Sequence, residues 1–143
     1  MIFIPRELVD RIREHGRVSY PHEGCGLMIG PDGERDRVVE LRMMENKYDA
    51  KSDAESRRNR YTIDPLELLK AERTLDGSGK EIIGVFHSHP DHPARPSSFD
   101  LEHAWPGWHY VIVSVVAGEP EQMRSWAQRE DRSQFDEESM EVV

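Results

Sequence analysis

The chain has 143 residues, of which 33% are charged and 36% hydrophobic, and its 19 Lys and Arg against 28 Asp and Glu leave a formal charge of −9. That length suits one domain around one core, and the acid excess argues against a nucleic acid or an anionic membrane as a general partner, because both select a basic face. The one cysteine, Cys25, permits no internal disulfide and no cysteine-rich zinc knuckle, so a reducing cytoplasm is expected and any metal must be held by His and carboxylates.

The first residues lack the basic leader and apolar stretch of a signal peptide, and no run approaches the ~18 apolar residues of a membrane span. Pro5 is placed to start a helix over residues 5–20 with Leu8, Ile12 and Val18 broadly on one face and Gly16 as its weak point. Residues 24–30 are apolar and glycine-rich, the turn signal Pro31-Asp32-Gly33 follows, and residues 37–44 then carry Val38, Val39 and Leu41, which predicts two antiparallel strands.

Residues 45–60 hold no Val, Ile, Leu, Phe or Trp, so they read as a long mobile loop and a candidate substrate flap. Asp64-Pro65 then supplies an N-cap and a first-turn proline for a helix with Leu66, Leu68, Leu69 and Ala71 as its stripe, ending before Gly77-Ser78-Gly79. The run Ile82 to Phe86 reads as a strand buried on both faces that delivers His87 and His89 at its end. Pro90, Pro93 and Pro96 enforce an extended connection, and Ser97 or Ser98 opens a short helix through Ala104. Strands follow at residues 110–116 and, shorter, at 122–127. The stretch from Gln128 carries six acids and two bases and reads as a fraying or surface tail, which divides the chain into a domain at 1–127 and an acidic tail at 128–143.

His87-Ser88-His89 on a strand places both imidazoles on one side, since side chains alternate with period two. Asp100, eleven residues after His89 across the proline-stiffened loop, can bring a carboxylate to the same ion. Two His and one carboxylate leave the fourth tetrahedral position to water, which is the pattern of catalytic zinc. Ser97 and Asp100 also have the spacing of a capping box, and both readings hold together if Ser97 caps while Asp100 turns to the metal.

The order His87-Ser88-His89-Pro90, six residues, Ser97, two residues, Asp100, preceded by Glu23-Gly24-Cys25-Gly26-Leu27, resembles the JAMM (MPN-plus) zinc metalloprotease family in its minimal prokaryotic form. The resemblance implies an α+β fold, a single JAMM/MPN domain with a mixed sheet flanked by helices in a cytidine-deaminase-like three-layer arrangement. It implies one Zn2+ per chain on His87, His89 and Asp100, with Glu23 as general base and acid and Ser97 as oxyanion donor. The implied reaction is hydrolysis, by a zinc-bound water, of a peptide or isopeptide bond after the C-terminal glycines of a ubiquitin-like or sulfur-carrier protein. A homodimer stays open.

The other histidines have plainer readings: His22 as a loop residue, His92 and His103 as polar surface. Cys25 reads as a small buried hydrophobe rather than a nucleophile. Trp105, Trp108 and Trp126 read as core or rim packing, and Asn46 matches a recurrent asparagine of the family without an assigned role. Two other classes frame the test. A non-catalytic, metal-stabilised binding module would close the zinc with His92 or His103 as fourth ligand, and a zinc deaminase would need a Pro-Cys-x-x-Cys segment that a chain with one cysteine lacks.

Overall fold

A computed structural model describes residues 1–49 and 56–143. In chain order the elements are β1 (Ile2–Ile4), α1 (Arg6–Ser19), β2 (Cys25–Pro31), β3 (Glu40–Met44), α2 (Pro65–Leu75), β4 (Lys80–Pro90), α3 (Ser98–Glu102), β5 (His109–Val116), β6 (Glu119–Gln128), β7 (Phe135–Glu138) and β8 (Met140–Val142). Six strands form one sheet in the order β3-β2-β4-β5-β6-β7. Every neighbouring pair is antiparallel except the central β4 and β5, which run parallel. β2 and β3 pair as the turn signal predicts, Cys25 opposite Met44.

The sheet has an apolar cluster on each face. On one side α1 packs Leu8, Val9 and Ile12 onto Met28, Ile83, Phe86, Val111 and Val113. On the other, Ala71 and Leu75 of α2 meet Leu27, Ile29, Ile82, Val85 and Tyr110. This is the expected three-layer, mixed-sheet α+β arrangement. A register shift between Met28 and Ile29, where Gly84 and then Ile82 are the β4 partners, leaves Ile83 as an extra residue. From there Val85 falls on the α2 side and Phe86 on the α1 side, and the alternation carries His87 and His89 to the α2 side with Ser88 opposite.

Three expectations change. Val18 is 69% exposed, because six residues beyond Ile12 is about 240° around a helix. Gly16 takes its place on the buried face. A Cβ there would lie 3.1 Å from Val115 Cγ2, 3.2 Å from Ser88 Cβ and 3.3 Å from Val113 Cγ1, so Gly16 marks the close approach of α1 to the sheet rather than a weak point. In α2, Leu66 and Leu69 stay exposed, while Leu68, Ala71 and Leu75 supply the packed face. Helical spacing from Leu75 selects the latter set.

The stretch from Gln128 does not fray. β7 pairs with β6, and β8 pairs in parallel with β1 as a separate two-stranded sheet. Phe135 packs against the Tyr110 ring at 5.5 Å. Glu138 accepts from Ser125 Oγ at 2.7 Å and faces His109 Nδ1. Burial alone would raise its carboxyl, but these partners hold it down at about 2. The acidic composition hid this because Ile2 and Ile4, which open the partner strand, are too short a run to announce one.

If Gly16 is the contact point of α1, Gly16→Leu should cost about 1–3 kcal/mol through overpacking. Urea unfolding followed by tryptophan fluorescence measures it, and an unchanged midpoint would place the close approach elsewhere.

Candidate active site

β4 carries the site to its C-terminal end. His87 and His89 are 1% and 6% exposed, their ring centroids 4.9 Å apart. α3 brings in Asp100, whose Oδ2 lies 3.3 Å from His89 Nε2 and 3.9 Å from His87 Nε2. Glu23 precedes β2, and its Oε1 lies 3.2 Å from His87 Nδ1. One candidate ligand atom from each of Glu23, His87, His89 and Asp100 fits within 4.8 Å of all the others. The four residues singled out from the sequence therefore meet in one buried cluster. Two imidazoles and a carboxylate at this spacing are a donor set that suits zinc.

Local structure orients each member. His89 Nδ1–H donates to the Pro93 carbonyl at 2.9 Å, which fixes the tautomer and turns the Nε2 lone pair toward Asp100, as expected for an imidazole that binds metal. Ser97 and Asp100 form a reciprocal capping box. Ser97 N–H donates to Asp100 Oδ2 at 2.8 Å and Asp100 N–H to Ser97 Oγ at 3.1 Å. One device thus starts α3 and sets the carboxylate.

The residue between the histidines does a separate job. Ser88 Oγ accepts from Gly24 N–H at 2.8 Å, and Ser88 N–H donates to the Gly24 carbonyl at 3.0 Å, clamping the residue after Glu23 to β4. Asn46 holds the other side of that segment. Its amide nitrogen donates to the carbonyls of Glu23 and Arg60, and its oxygen accepts from Tyr48 and Thr62 N–H. Asn46 is thereby a positioning residue for Glu23, a role the sequence left blank. Tyr61 is a second omission: its ring lies 4.5 Å from that of His87, tilted 30°. Nothing in spacing marks Tyr61, because it follows the irregular loop.

Burial raises Glu23 to about 8. Burial would also raise Asp100, but the facing His87 and His89 and the Ser97 N–H bring it down to about 2. His87 is shifted down by burial. One carboxyl thus holds a proton where the other holds a charge, the division of labour expected between a proton carrier and a ligand. Cys25 is buried with its thiol pushed up to about 12, which fits the packing reading and not a nucleophile.

His22, His92 and His103 are exposed and lie outside the four-residue cluster. The fourth member is Glu23, so the binding-module expectation of His92 or His103 as an extra ligand is not met among the described residues. His103 instead stacks on Phe99 at 4.1 Å. Trp126 donates its indole N–H to the Ala94 carbonyl at 3.0 Å, a packing role.

Three hollows touch the cluster, one of them, of about 300 Å³, reaching only Glu23 beside His15, Ser19 and His22. A cleft of about 450 Å³ is lined by Glu23, His89, Arg95, Ser97 and Phe99 among others. A cavity of about 210 Å³ that Asp100 lines is walled by aromatic side chains, including Tyr61, Trp105, Trp108 and Tyr110, together with aliphatic ones such as Ile63, Leu68 and Val85. Residues 50–55, the middle of the expected flap, lie outside the described residues. The described flanks of that loop are anchored: Arg60 donates to the Tyr48 hydroxyl at 3.1 Å, and its guanidinium sits 4.8 Å from the Phe99 ring centroid. Arg57 accepts from Glu23 N–H through its carbonyl.

A family model for prokaryotic homologs of the JAB domain matches residues 5–129. A "Probable TtuB-protein conjugate cleaving protease" of Thermus thermophilus is 35% identical over 80% of this chain and 71% of its own length. A "CysO-cysteine peptidase" of Mycobacterium tuberculosis is 32% identical over 88% of this chain and 82% of its own. A solution structure from Desulfitobacterium hafniense matches with a TM-score of 0.80 at 31% identity, covering 100% of this chain and 93% of that one. A JAB1/MPN domain protein from Archaeoglobus fulgidus shares the fold, with a TM-score of 0.62 at 22% identity over 100% and 97% of the two chains. Sheet, flanking helices and these neighbours define a domain of the JAB1/MPN class. Within it, the chain belongs to the prokaryotic JAB (JAMM/MPN) domain family, whose relatives here are named as a protease and a peptidase.

The raised Glu23 has a sign that can be measured in metal-free protein. Folded Glu23 keeps its proton up to about 8, whereas the unfolded carboxyl loses it near 4.5. The folded state therefore binds more protons between those values, and stability falls as pH rises through the window, by up to ~1.4 kcal/mol per pH unit. Glu23→Gln should flatten that part of the slope in urea unfolding with chelator at pH 5 to 8. An equal slope in both proteins would remove Glu23 as its source.

Proposed function

We propose that this chain is a zinc-dependent hydrolase of the peptide or isopeptide bond that follows the C-terminal glycines of a ubiquitin-like or sulfur-carrier protein, working in a reducing cytoplasm. The observation that carries the reading is a carboxyl, Glu23, buried against a His87, His89 and Asp100 donor set, with Glu23 and His89 reaching an open cleft.

His87, His89 and Asp100 would hold the zinc, which when bound supplies a Lewis acid and a water acidic enough to react near neutral pH. Glu23, held by Asn46 at its own carbonyl and by Ser88 through Gly24, would be ionised beside the zinc's positive charge, and would then take a proton from the attacking water and return it to the departing amine. Because Ser97 Oγ already accepts from Asp100 N–H, the proton of its hydroxyl is free to be donated to the oxyanion that develops on the acyl oxygen. A glycine tail suits a narrow approach to the cluster, since the absence of a side chain lets the backbone come close. The relatives named for TtuB conjugates and for CysO-cysteine support this substrate class.

The defining experiment incubates purified ubiquitin-like carriers, extended beyond Gly-Gly, with zinc-loaded protein and with chelator, and follows them by intact mass. Cleavage after the glycines that chelator abolishes is the expected result, and zinc bound at one per chain with no cleavage of any carrier would favour a binding module. Glu23→Gln should keep stoichiometric zinc and lose ~10²–10⁴-fold in turnover, while Asp100→Ala should lose zinc on dialysis, by elemental analysis. Loss of zinc in Glu23→Gln would make Glu23 a ligand and contradict its role. Ser97→Ala should retain zinc, turn over ~10²–10³-fold more slowly and melt lower through its lost cap; unchanged kcat would take Ser97 out of the reaction.

A further inference from the structure

The cleft beside the donor set is electrically unlike the rest of the molecule. The chain carries a charge of −9, yet Arg60 and Arg95 line this cleft against a single carboxyl group, that of Glu23. Arg60 is committed to Tyr48 and Phe99. Arg95 is different: its guanidinium makes no hydrogen bond or ion pair with any described residue, although its backbone is held hard. It stands two residues after Pro93 and directly before Pro96, donates its N–H to the Pro93 carbonyl at 2.8 Å, and follows the fully buried Ala94, whose carbonyl takes the Trp126 indole N–H. Pro93 is in turn tied to His89. A cationic head is thus presented from a stiff base, which lowers the entropy lost when an anion binds it.

Which part of a substrate lies there follows from the chemistry. Hydrolysis adds the water oxygen to the acyl carbon, breaks the C–N bond and returns a proton to the departing nitrogen. The group that hands over that proton must lie beside the nitrogen. Glu23 lines the cleft and not the aromatic cavity, and of the two hollows that Glu23 lines only the cleft also reaches His89, so the departing amine occupies the cleft, in the hollow that Arg95 shares. If the departing group is a single amino acid, its α-carboxylate is two bonds from that nitrogen. If it is a lysine side chain of a conjugated protein, an alkyl stem occupies the same place and no anion faces Arg95.

We infer that Arg95 is the binding residue for the α-carboxylate of the amino acid released, so that the chain acts chiefly on carriers bearing one residue beyond their glycines rather than on lysine-linked conjugates. This rests on the hydrolase reading above and narrows its substrate class. The two relatives differ on this point, one being named for protein conjugates and the other for a cysteine adduct, so the choice is not set by family.

The test uses the full chain loaded with zinc and three versions of each ubiquitin-like carrier in the panel: Gly-Gly followed by alanine with a free carboxylate, by alaninamide, and by an isopeptide-linked lysine. A charge-assisted pair to a carboxylate leads to an expected kcat/KM ~10–100-fold higher for the free acid than for the amide. Arg95→Gln should bring the acid down to the level of the amide and leave the amide and the isopeptide unchanged, with Arg95→Lys between. Equal rates on acid and amide in the unaltered chain, or a variant that slows all three alike, would overturn the assignment while leaving the hydrolase intact. Cleavage of none of the three would overturn the hydrolase reading and this inference together.

Discussion

Four ionisable side chains buried in one place are the constraint around which this fold is arranged. Glu23, His87, His89 and Asp100 are each at most 6% exposed, and a charge moved from water into such surroundings costs several kcal/mol unless it is paired or neutralised. The structure meets that demand with neutrality at Glu23, with facing imidazoles and a backbone N–H at Asp100, and with a carbonyl at His89. Each solution needs a particular piece of secondary structure in register. The β4 bulge puts the two histidines on the α2 side, α3 begins where its cap can also hold Asp100, and β2 enters the sheet next to Ser88. A cation fits the same logic, because it would repay the burial of Asp100 and the imidazoles at once.

Much of this was legible because the determinants are local. Period-two alternation fixed the shared face of His87 and His89, proline spacing fixed an extended link, and the Ser97 to Asp100 offset announced a cap that doubles as a carboxylate holder. The apolar run before His87 called a buried strand, and only a strand paired on both sides, as β4 is with β2 and β5, matches it. What stayed hidden depends on partners far away in the chain. Ile2 to Ile4 is held as a strand by β8, which returns beside it more than a hundred residues later, and by a bridge between Phe3 and Arg37. The acidic strand β7 has no apolar alternation of its own and is held by β6, by Phe135 on Tyr110 and by Glu138 at His109.

Asn46 and Tyr61 were missed for a related reason. A loop without large apolar residues suggests mobility, since apolar burial is the usual anchor of a chain segment. Here the anchors are polar and aromatic: one amide satisfies four backbone groups, and Arg60 packs against the touching Tyr48 and Phe99 rings. Such contacts are directional, so they fix position as well as proximity. Composition counts hydrophobic residues and cannot register them.

The same anchoring bears on how a cleft can be selective without large insertions. Phe99 sits next to Asp100 in α3 and meets both Tyr48 at 5.6 Å and Arg60, so the loop base and the ligand-bearing helix touch directly. Arg60 and Phe99 line the cleft, while Phe99, Asp100 and Tyr61 line the aromatic cavity. A single wall therefore separates a polar hollow holding the proton carrier from an apolar one holding none. A planar amide lying across that wall would have chemically different surroundings on its two sides, the nitrogen toward Glu23 and the acyl chain away from it. Orientation would then come from the asymmetry of the walls, with catalysis left to the four buried groups. In so short a chain, that separation lets surface residues such as Arg95 set substrate preference without disturbing the cluster that burial has already made exacting.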